Sequence, residues 1–169
     1  INKAKKDGCT ALYTASSNGH LEVVRLLLSK SGIDTNKAEE EGFTALMSAS
    51  YKGHVEVVRL LLSKSDIDIN KTLDDGTTAL YIASQEGHVE VVRLLLSKSD
   101  IDINKAEEDG TTALHVACEK NNLNVVRLLL TRDELSVNST TNDGATPLYQ
   151  ACEHGRIDVV QLLLTKNDI

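Results

Sequence analysis

Residues 75–108 read DGTTALYIASQEGHVEVVRLLLSKSDIDINKAEE, and this 34-residue unit runs through the chain in five in-phase copies, without an insertion or deletion. An acidic residue followed by glycine anchors each copy. The anchors are Asp7-Gly8, Glu41-Gly42, Asp75-Gly76, Asp109-Gly110 and Asp143-Gly144. Self-similarity at this period is typical of a solenoid, in which each unit buries its apolar surface against its neighbours. We therefore expect residues 1–169 to form one elongated domain.

The unit predicts two helices separated by a tight turn. Asp75-Gly76 is a turn signal, Thr78 is well placed as an N-cap, and Ala79–Glu86 is expected to be helical. Gly87 can adopt the left-handed conformation that ends this helix. The second helix is expected from about Val89 to Lys98.

The second helix is apolar on nearly all sides. Its polar positions Glu90, Arg93 and Ser97 form only a narrow stripe among Val and Leu. We expect such a helix to be covered on both flanks, as in the middle layer of a stack. Ser99–Asn104 then alternates polar and apolar residues, which predicts an extended arm that leads to a hairpin-like tip at residues 106–110.

This unit resembles the ankyrin repeat, whose pattern is a turn followed by T-P-L-H-x-A-A, then G-H, E-V-V, L-L-L and a D-V-N stretch. The matching segments of the third copy are Thr78–Ser84, Gly87-His88, Glu90–Val92, Leu94–Leu96 and Asp102–Asn104. The resemblance covers essentially the whole chain. It implies an all-α solenoid of ankyrin repeats, each a helix-turn-helix plus a β-hairpin-like loop, in an elongated right-handed stack. Repeats are expected at about 7–40, 41–74, 75–108, 109–142 and 143–169, with residues 1–6 as the tail of a preceding unit.

The chain also departs from the family pattern. Its period is 34 residues where 33 is common, and the extra residue falls after the second helix. The favoured proline of the first helix occurs only as Pro147, and the favoured histidine only as His115. Neither end shows a polar capping repeat, so we expect a segment of a longer array, or ends sheltered by packing or self-association.

Composition and motifs narrow the classes of function. The formal net charge of −7 argues against nucleic acid as the main partner, and no apolar run is long enough for membrane insertion. Catalytic and metal-binding signatures are absent, so no enzymatic activity, cofactor or metal site is expected. His20, His54 and His88 recur once per repeat, too far apart to share a metal, and a structural role at the start of the second helix is predicted.

The three cysteines give no disulfide framework. Cys118 and Cys152 share a position that is Ser16, Ser50 and Ser84 in the other copies, so we expect small, buried, unbonded side chains. Cys9 follows a turn glycine and is expected to be more exposed. Reduced thiols fit an intracellular protein, with no distinction between cytoplasm and nucleus.

The resemblance implies a concave surface of hairpin tips and first helices that recognises a protein or peptide. The positions that vary between copies lie just before the turn glycine, just after it, and in the pair before Gly-His. In the second copy they are Glu39, Glu40, Glu41, Phe43, Tyr51 and Lys52. In the third they are Asp74, Asp75, Thr77, Gln85 and Glu86, and in the fourth Glu107, Glu108, Asp109, Thr111, Glu119 and Lys120.

Two features of these positions suggest how a partner binds. Phe43 and Tyr51 are the aromatic residues among them, and we expect them to act as anchors. The tips are acidic, which favours a partner with a basic segment. The alternative is that the charges are simply solvated loop residues and the aromatics incidental.

The second helices carry a ladder of arginines that could instead bind nucleic acid. Its members are Arg25, Arg59, Arg93 and Arg127. Because Glu22, Glu56 and Glu90 precede three of them by three residues, helical ion pairs on a solvated outer face are the favoured interpretation.

Three functions therefore remain open. The first is a protein-binding module. The second is a structural spacer, favoured by the identity of Gly53–Lys71 with Gly87–Lys105. The third is a regulatory domain of a larger enzyme or channel.

Overall fold

The computed structural model describes residues 1–166, and this range contains ten short helices and isolated β-bridges instead of β-strands. The helices are α1 (Ala11–Ser17), α2 (Leu21–Leu28), α3 (Ala45–Tyr51), α4 (Val55–Leu62), α5 (Ala79–Gln85), α6 (Val89–Leu96), α7 (Ala113–Glu119), α8 (Leu123–Leu129), α9 (Pro147–Glu153) and α10 (Ile157–Leu163). Each repeat contributes one consecutive pair. The prediction of an all-α solenoid is confirmed.

A threonine begins the first helix of each repeat. In the third repeat, Thr78 has an extended backbone and its Oγ1 accepts a hydrogen bond of 3.1 Å from the Tyr81 amide, as predicted for an N-cap. The helix ends at Gln85, one residue earlier than expected. Gly87 follows with a φ of 74°, in the left-handed region that favours glycine.

The second helix is shorter than its sequence pattern suggested. It ends at Leu96 in the third repeat, not at Lys98. The Lys98 amide bonds to the Leu95 carbonyl, three residues back, so the last turn tightens and the helix stops. The hydroxyl of Ser97 donates to the Leu94 carbonyl at 2.7 Å, which satisfies one of the groups left free at a helix end.

The helices stack in two rows. Odd-numbered helices contact one another in order, even-numbered helices do the same, and the two helices of each repeat also contact each other. In α6, Val91, Val92, Leu95 and Leu96 are all buried, at no more than 3% exposed. The expectation that this helix is covered on both flanks is confirmed.

An asparagine in each arm ties neighbouring repeats together. Asn70 Nδ2 donates to the Asp100 carbonyl at 2.6 Å, and Asn70 Oδ1 accepts from the Asp102 amide at 2.8 Å. Asn2, Asn36 and Asn104 make the same pair of bonds one period apart. We call this set the asparagine ladder. Because one side chain serves two backbone groups of the next repeat, an asparagine recurs at this position one period apart, at residues 2, 36, 70, 104 and 138.

Side chains that are buried between repeats become exposed in the first and last repeats. Val23 is 47% exposed, whereas its counterparts in the other four repeats are at most 2% exposed. Leu164 is 61% exposed against 3–8% for its counterparts. The same effect overturns the expectation for Cys152, which is exposed and not buried, since no described layer covers it. Cys118, inside the stack, is buried as expected, and both thiols are free.

Candidate protein-binding surface

The variable residues chosen from the sequence form two groups in the structure. The tip group lies in the hairpin-like tips: Glu39, Glu40, Glu41, Phe43, Asp74, Asp75, Thr77, Glu107, Glu108, Asp109 and Thr111. The helix-end group lies at the last residues of the first helices and their C-caps: Tyr51, Lys52, Gln85, Glu86, Glu119 and Lys120.

A buried stretch of helix separates the two groups. Ala45–Ser50 is entirely buried in α3, and Ala113–Cys118 is entirely buried in α7. A helix of 7 residues is about 10 Å long. Phe43 lies two residues before α3 begins and Tyr51 is its last residue, so the two aromatic residues belong to different groups.

Four of the five tips are held by the aspartate that precedes the turn glycine. In the third tip, Asp75 Oδ1 accepts a hydrogen bond of 2.9 Å from the Thr77 amide. Asp7 and Asp109 accept equivalent bonds from the amides two residues ahead. In the fifth tip Asp143 shares the Ala145 amide with Thr141, whose Oγ1 is closer, at 3.0 Å against 3.4 Å. An aspartate side chain is short enough to make this local bond, which is the usual reason for its presence in turns.

The second tip uses a different device. Glu41 stands where the other tips have aspartate, and Glu39 takes over the role. Its Oε1 accepts from the amides of Glu41 at 3.0 Å and Phe43 at 2.9 Å. Glu39 therefore holds the turn together, while Glu40 and Glu41 remain exposed.

The junction between the third and fourth tips is closed by polar contacts. The Glu108 amide donates to the Asp75 carbonyl at 2.8 Å, and the Thr77 hydroxyl donates to the Glu107 carboxylate. Thr77 is buried. Burial raises the pKa of Glu107, against the opposing effect of hydrogen bonds from Thr77 and Tyr81. Burial also raises the pKa of Tyr81, with the nearby Glu107 charge adding to it.

The junction between the second and third tips has an apolar pair in the same place. Phe43 and Leu73 occupy the positions that Thr77 and Glu107 hold one repeat later. Both are half-buried and pack against the core. Leu73 was not among the residues chosen from the sequence. Its signal was available, because the same position is Lys5, Glu39, Glu107 and Thr141 in the other tips.

The second and third tips are also packed less closely against each other than the tips at the other junctions are. A β-carbon added at Gly76 would lie 2.9 Å from backbone atoms of the next tip, whereas one at Gly42 would first meet the side chain of Leu73, at 3.3 Å. At the other three junctions an amide of one tip bonds to a carbonyl of the tip before it. Those bonds are Glu40 to Asp7, Glu108 to Asp75 and Asn142 to Asp109. Within residues 1–166, the equivalent bond from Asp74 to Glu41 is missing.

The helix-end group is mixed in character. Tyr51 is 46% exposed, and the ammonium of Lys52 lies 4.9 Å from the centre of its ring. Lys120 pairs with Glu119 at 2.7 Å. This group therefore offers an aromatic face, but its charges are partly balanced within the chain.

The histidines before the second helices are predicted to have a structural role, and two of them, His54 and His88, contact the preceding repeat. His88 Nε2 lies 2.9 Å from the Tyr51 carbonyl, and His54 Nε2 lies 3.2 Å from the Ser17 carbonyl. Asn122 takes over this bond in the fourth repeat, where its Nδ2 donates to the Gln85 carbonyl at 2.8 Å and also to the Ser84 carbonyl at 2.7 Å. No group of three or more potential metal ligands occurs in the described range.

The outer face is occupied by contacts within the chain. Each of Arg25, Arg59 and Arg93 pairs with the glutamate three residues before it at 3.3–3.4 Å, as expected. These side chains are more than half exposed, so each pair contributes little to stability. Lys64 and Lys166 donate to carbonyl groups of the preceding repeat.

Comparisons with known proteins identify the repeat. A family model described as "Ankyrin repeats (3 copies)" matches residues 1–72, 39–107, 63–141 and 99–169, which together span the whole chain. A search of curated proteins returned no significant match. None of the helices in residues 1–166 has the length and apolar character needed to cross a bilayer.

Proposed function

The chain belongs to the ankyrin-repeat family, and from this premise we propose that it is a non-enzymatic scaffold that binds a protein or peptide through its tips and first helices. Ankyrin repeats generally serve as protein–protein interaction modules. The proposal for this chain places recognition in the tip group and the helix-end group of the second to fourth repeats.

The observation that carries this proposal is the unbalanced charge of the tips. Four carboxylates, Glu40, Glu41, Asp74 and Asp75, are exposed on two successive tips. Among the ion pairs of residues 1–166, none involves a carboxylate of the tip group. Complementary charge steers association and disfavours wrong partners, so a partner segment rich in Lys or Arg fits this surface.

A pull-down with an anchor variant tests the proposal. Phe43→Ala combined with Tyr51→Ala removes both aromatic residues, and we expect recovery of the bound partner to fall about tenfold or more, as for interface anchors. Arg59→Ala combined with Arg93→Ala is the matched control on the outer face and should leave recovery unchanged. Circular dichroism of each variant shows whether the helices are intact.

Two outcomes would contradict the proposal. Equal recovery by parent and anchor variant would remove the proposed site, and loss of binding in the outer-face control would move recognition to the second helices. If no saturable partner is found, the spacer favoured by the identical Gly53–Lys71 and Gly87–Lys105 is the better account. Because Val23 and Leu164 are exposed, sedimentation of the chain alone comes first, so that self-association is not mistaken for partner binding.

A further inference from the structure

The tips of the second and third repeats differ from the other tips in both packing and chemistry. We infer that Phe43 and Leu73 form a notch between their two tips that takes one apolar side chain of an extended partner segment, and that Lys or Arg flanks this side chain in the partner. This inference rests on the proposed function and narrows its site to one junction. We call this junction the apolar notch.

The looser packing of the second tip against the third is the first argument. Around Gly76, backbone atoms of the next tip lie within 2.9 Å of an added β-carbon, so those tips cannot come closer and have no room between them. Around Gly42 the nearest atom to an added β-carbon is Cδ2 of Leu73, at 3.3 Å, so the end of a rotatable side chain, and not backbone, fills this place. With no backbone bond between Asp74 and Glu41, the second and third tips can separate without losing a hydrogen bond.

The apolar character of the notch is the second argument. Phe43 and Leu73 are half-buried, so part of each side chain still faces water. Covering apolar surface contributes about 25 cal/mol per Å². The equivalent pair at the next junction, Thr77 and Glu107, already satisfies its own polar groups and offers no such gain. An apolar side chain of a partner therefore favours the junction of Phe43 and Leu73.

Charge beside the notch is the third argument, and it identifies the neighbours of that side chain. Glu40 and Glu41 lie on one tip, and Asp74 and Asp75 lie on the other, all exposed. A segment with acidic residues around its apolar side chain would be repelled from both sides. Lys or Arg on either side of it would pair with the two tips at once.

An exchange of residue pairs within the chain gives the sharpest test. Phe43→Thr combined with Leu73→Glu gives the notch the Thr–Glu pair that the chain already uses one repeat later, so the fold should be preserved. The reverse exchange, Thr77→Phe combined with Glu107→Leu, gives the next junction the apolar pair. We call these the closed-notch variant and the second-notch variant.

The probe is a library of random dodecapeptides displayed on phage and selected against the parent chain. We expect the selected peptides to share an aliphatic or aromatic residue flanked by Lys or Arg. Synthetic copies should bind the closed-notch variant about tenfold more weakly or worse, since the notch no longer covers the apolar side chain. The second-notch variant should bind them at least as well as the parent.

The closed-notch variant separates apolar capture from simple charge attraction. It adds one negative charge to the acidic tips, so binding governed by charge alone would strengthen. Strengthened or unchanged binding would overturn the inference, and so would a selection whose peptides lack the apolar residue or yield no binder. If the notch fails these tests but the pull-down still recovers a protein whose binding depends on Tyr51, the proposed function stands without the notch. If the pull-down fails as well, both the notch and the proposed function are contradicted.

Discussion

The two junctions on either side of the third tip share an interior and differ at their surface. Leu61 and Leu95 are both fully buried, and Asn36 and Asn70 make the same two ladder bonds, at 2.6 and 2.8 Å. At the tips, one junction is the apolar notch and the other is closed by hydrogen bonds. The interior and the asparagine ladder hold the repeats in register, and this leaves the tips free to differ.

The largest effect should come from the shared interior. Leu61→Ala and Leu95→Ala each leave a cavity in a close-packed stack and should lower the free energy of unfolding by about 2–5 kcal/mol. Both residues are 0% exposed, so the two losses should agree within about 1 kcal/mol. Urea unfolding followed by circular dichroism measures them. Clearly unequal losses would show that the interiors differ and that the comparison is not limited to the tips.

The turn glycines should reveal the difference between the junctions. Gly42 and Gly76 have φ values of 90° and 91°, so alanine meets the same backbone strain at both, about 1–3 kcal/mol. At Gly76 the new β-carbon also meets backbone atoms at 2.9 Å, which cannot rotate away. Gly76→Ala should therefore destabilise more than Gly42→Ala by about 1 kcal/mol or more. Equal losses of unfolding free energy would contradict the looser packing at Gly42.

The asparagine ladder should respond equally on both sides of the third tip. Asn36→Ala and Asn70→Ala each remove two hydrogen bonds to the next repeat, and a loss of about 1–2 kcal/mol is expected for each. Since the bond lengths are the same, thermal melts of the two variants should coincide. A much smaller loss at Asn36 would mean that the second and third repeats are loosely joined throughout and not only at their tips.

The smallest expected effect is a pH dependence of the free energy of unfolding, and it arises at the junction between the third and fourth tips. Burial raises the pKa of Glu107 above its ordinary 4.5, so the folded chain holds this proton more tightly than the unfolded chain does. Stability from this group is thus present at low pH and decreases as the pH rises above about 4.5. Glu107→Gln cannot ionise, so its stability relative to the parent should increase between pH 4.5 and 7.

Urea unfolding of parent and Glu107→Gln at several pH values measures this difference. Gln85→Glu would add a charge and is therefore not a suitable control. Asn70→Ala changes no titratable group and serves as the control. Its difference from the parent should not vary with pH over the same range. A Glu107→Gln difference that stays constant or decreases would contradict a raised pKa at Glu107.

The repeated framework could be predicted from the sequence, because each of its features recurs. The sequence predicts Thr78 as the N-cap and Gly87 as the left-handed residue that follows the helix, and the structure has both. Non-repeated contacts could not be predicted, because they depend on which residue of the next tip each side chain meets. The burial of Thr77 against Glu107 is such a contact, and so is the place of Leu73 beside Gly42, although the variation at the Leu73 position is visible in the sequence.

The absence of a polar capping repeat at either end predicts uncovered side chains there, but the expectation for Cys152 follows its counterparts inside the stack. Cys152 occupies a position that is buried in every earlier repeat, and it is exposed because no described layer covers it. The relation between the two candidate anchors also depends on the fold. Phe43 lies in a tip, two residues before α3 begins, whereas Tyr51 is the last residue of α3.

Amide hydrogen exchange, followed by NMR, tests the open junction most directly. The amides of Glu40, Glu108 and Asn142 donate to the preceding tip, whereas that of Asp74 has no such bond. After correction for intrinsic rates, we expect Asp74 to exchange about tenfold faster or more than these three, since only they must first open a bond. Protection of Asp74 equal to that of Glu108 would show that the second and third tips are closed, and would contradict the notch.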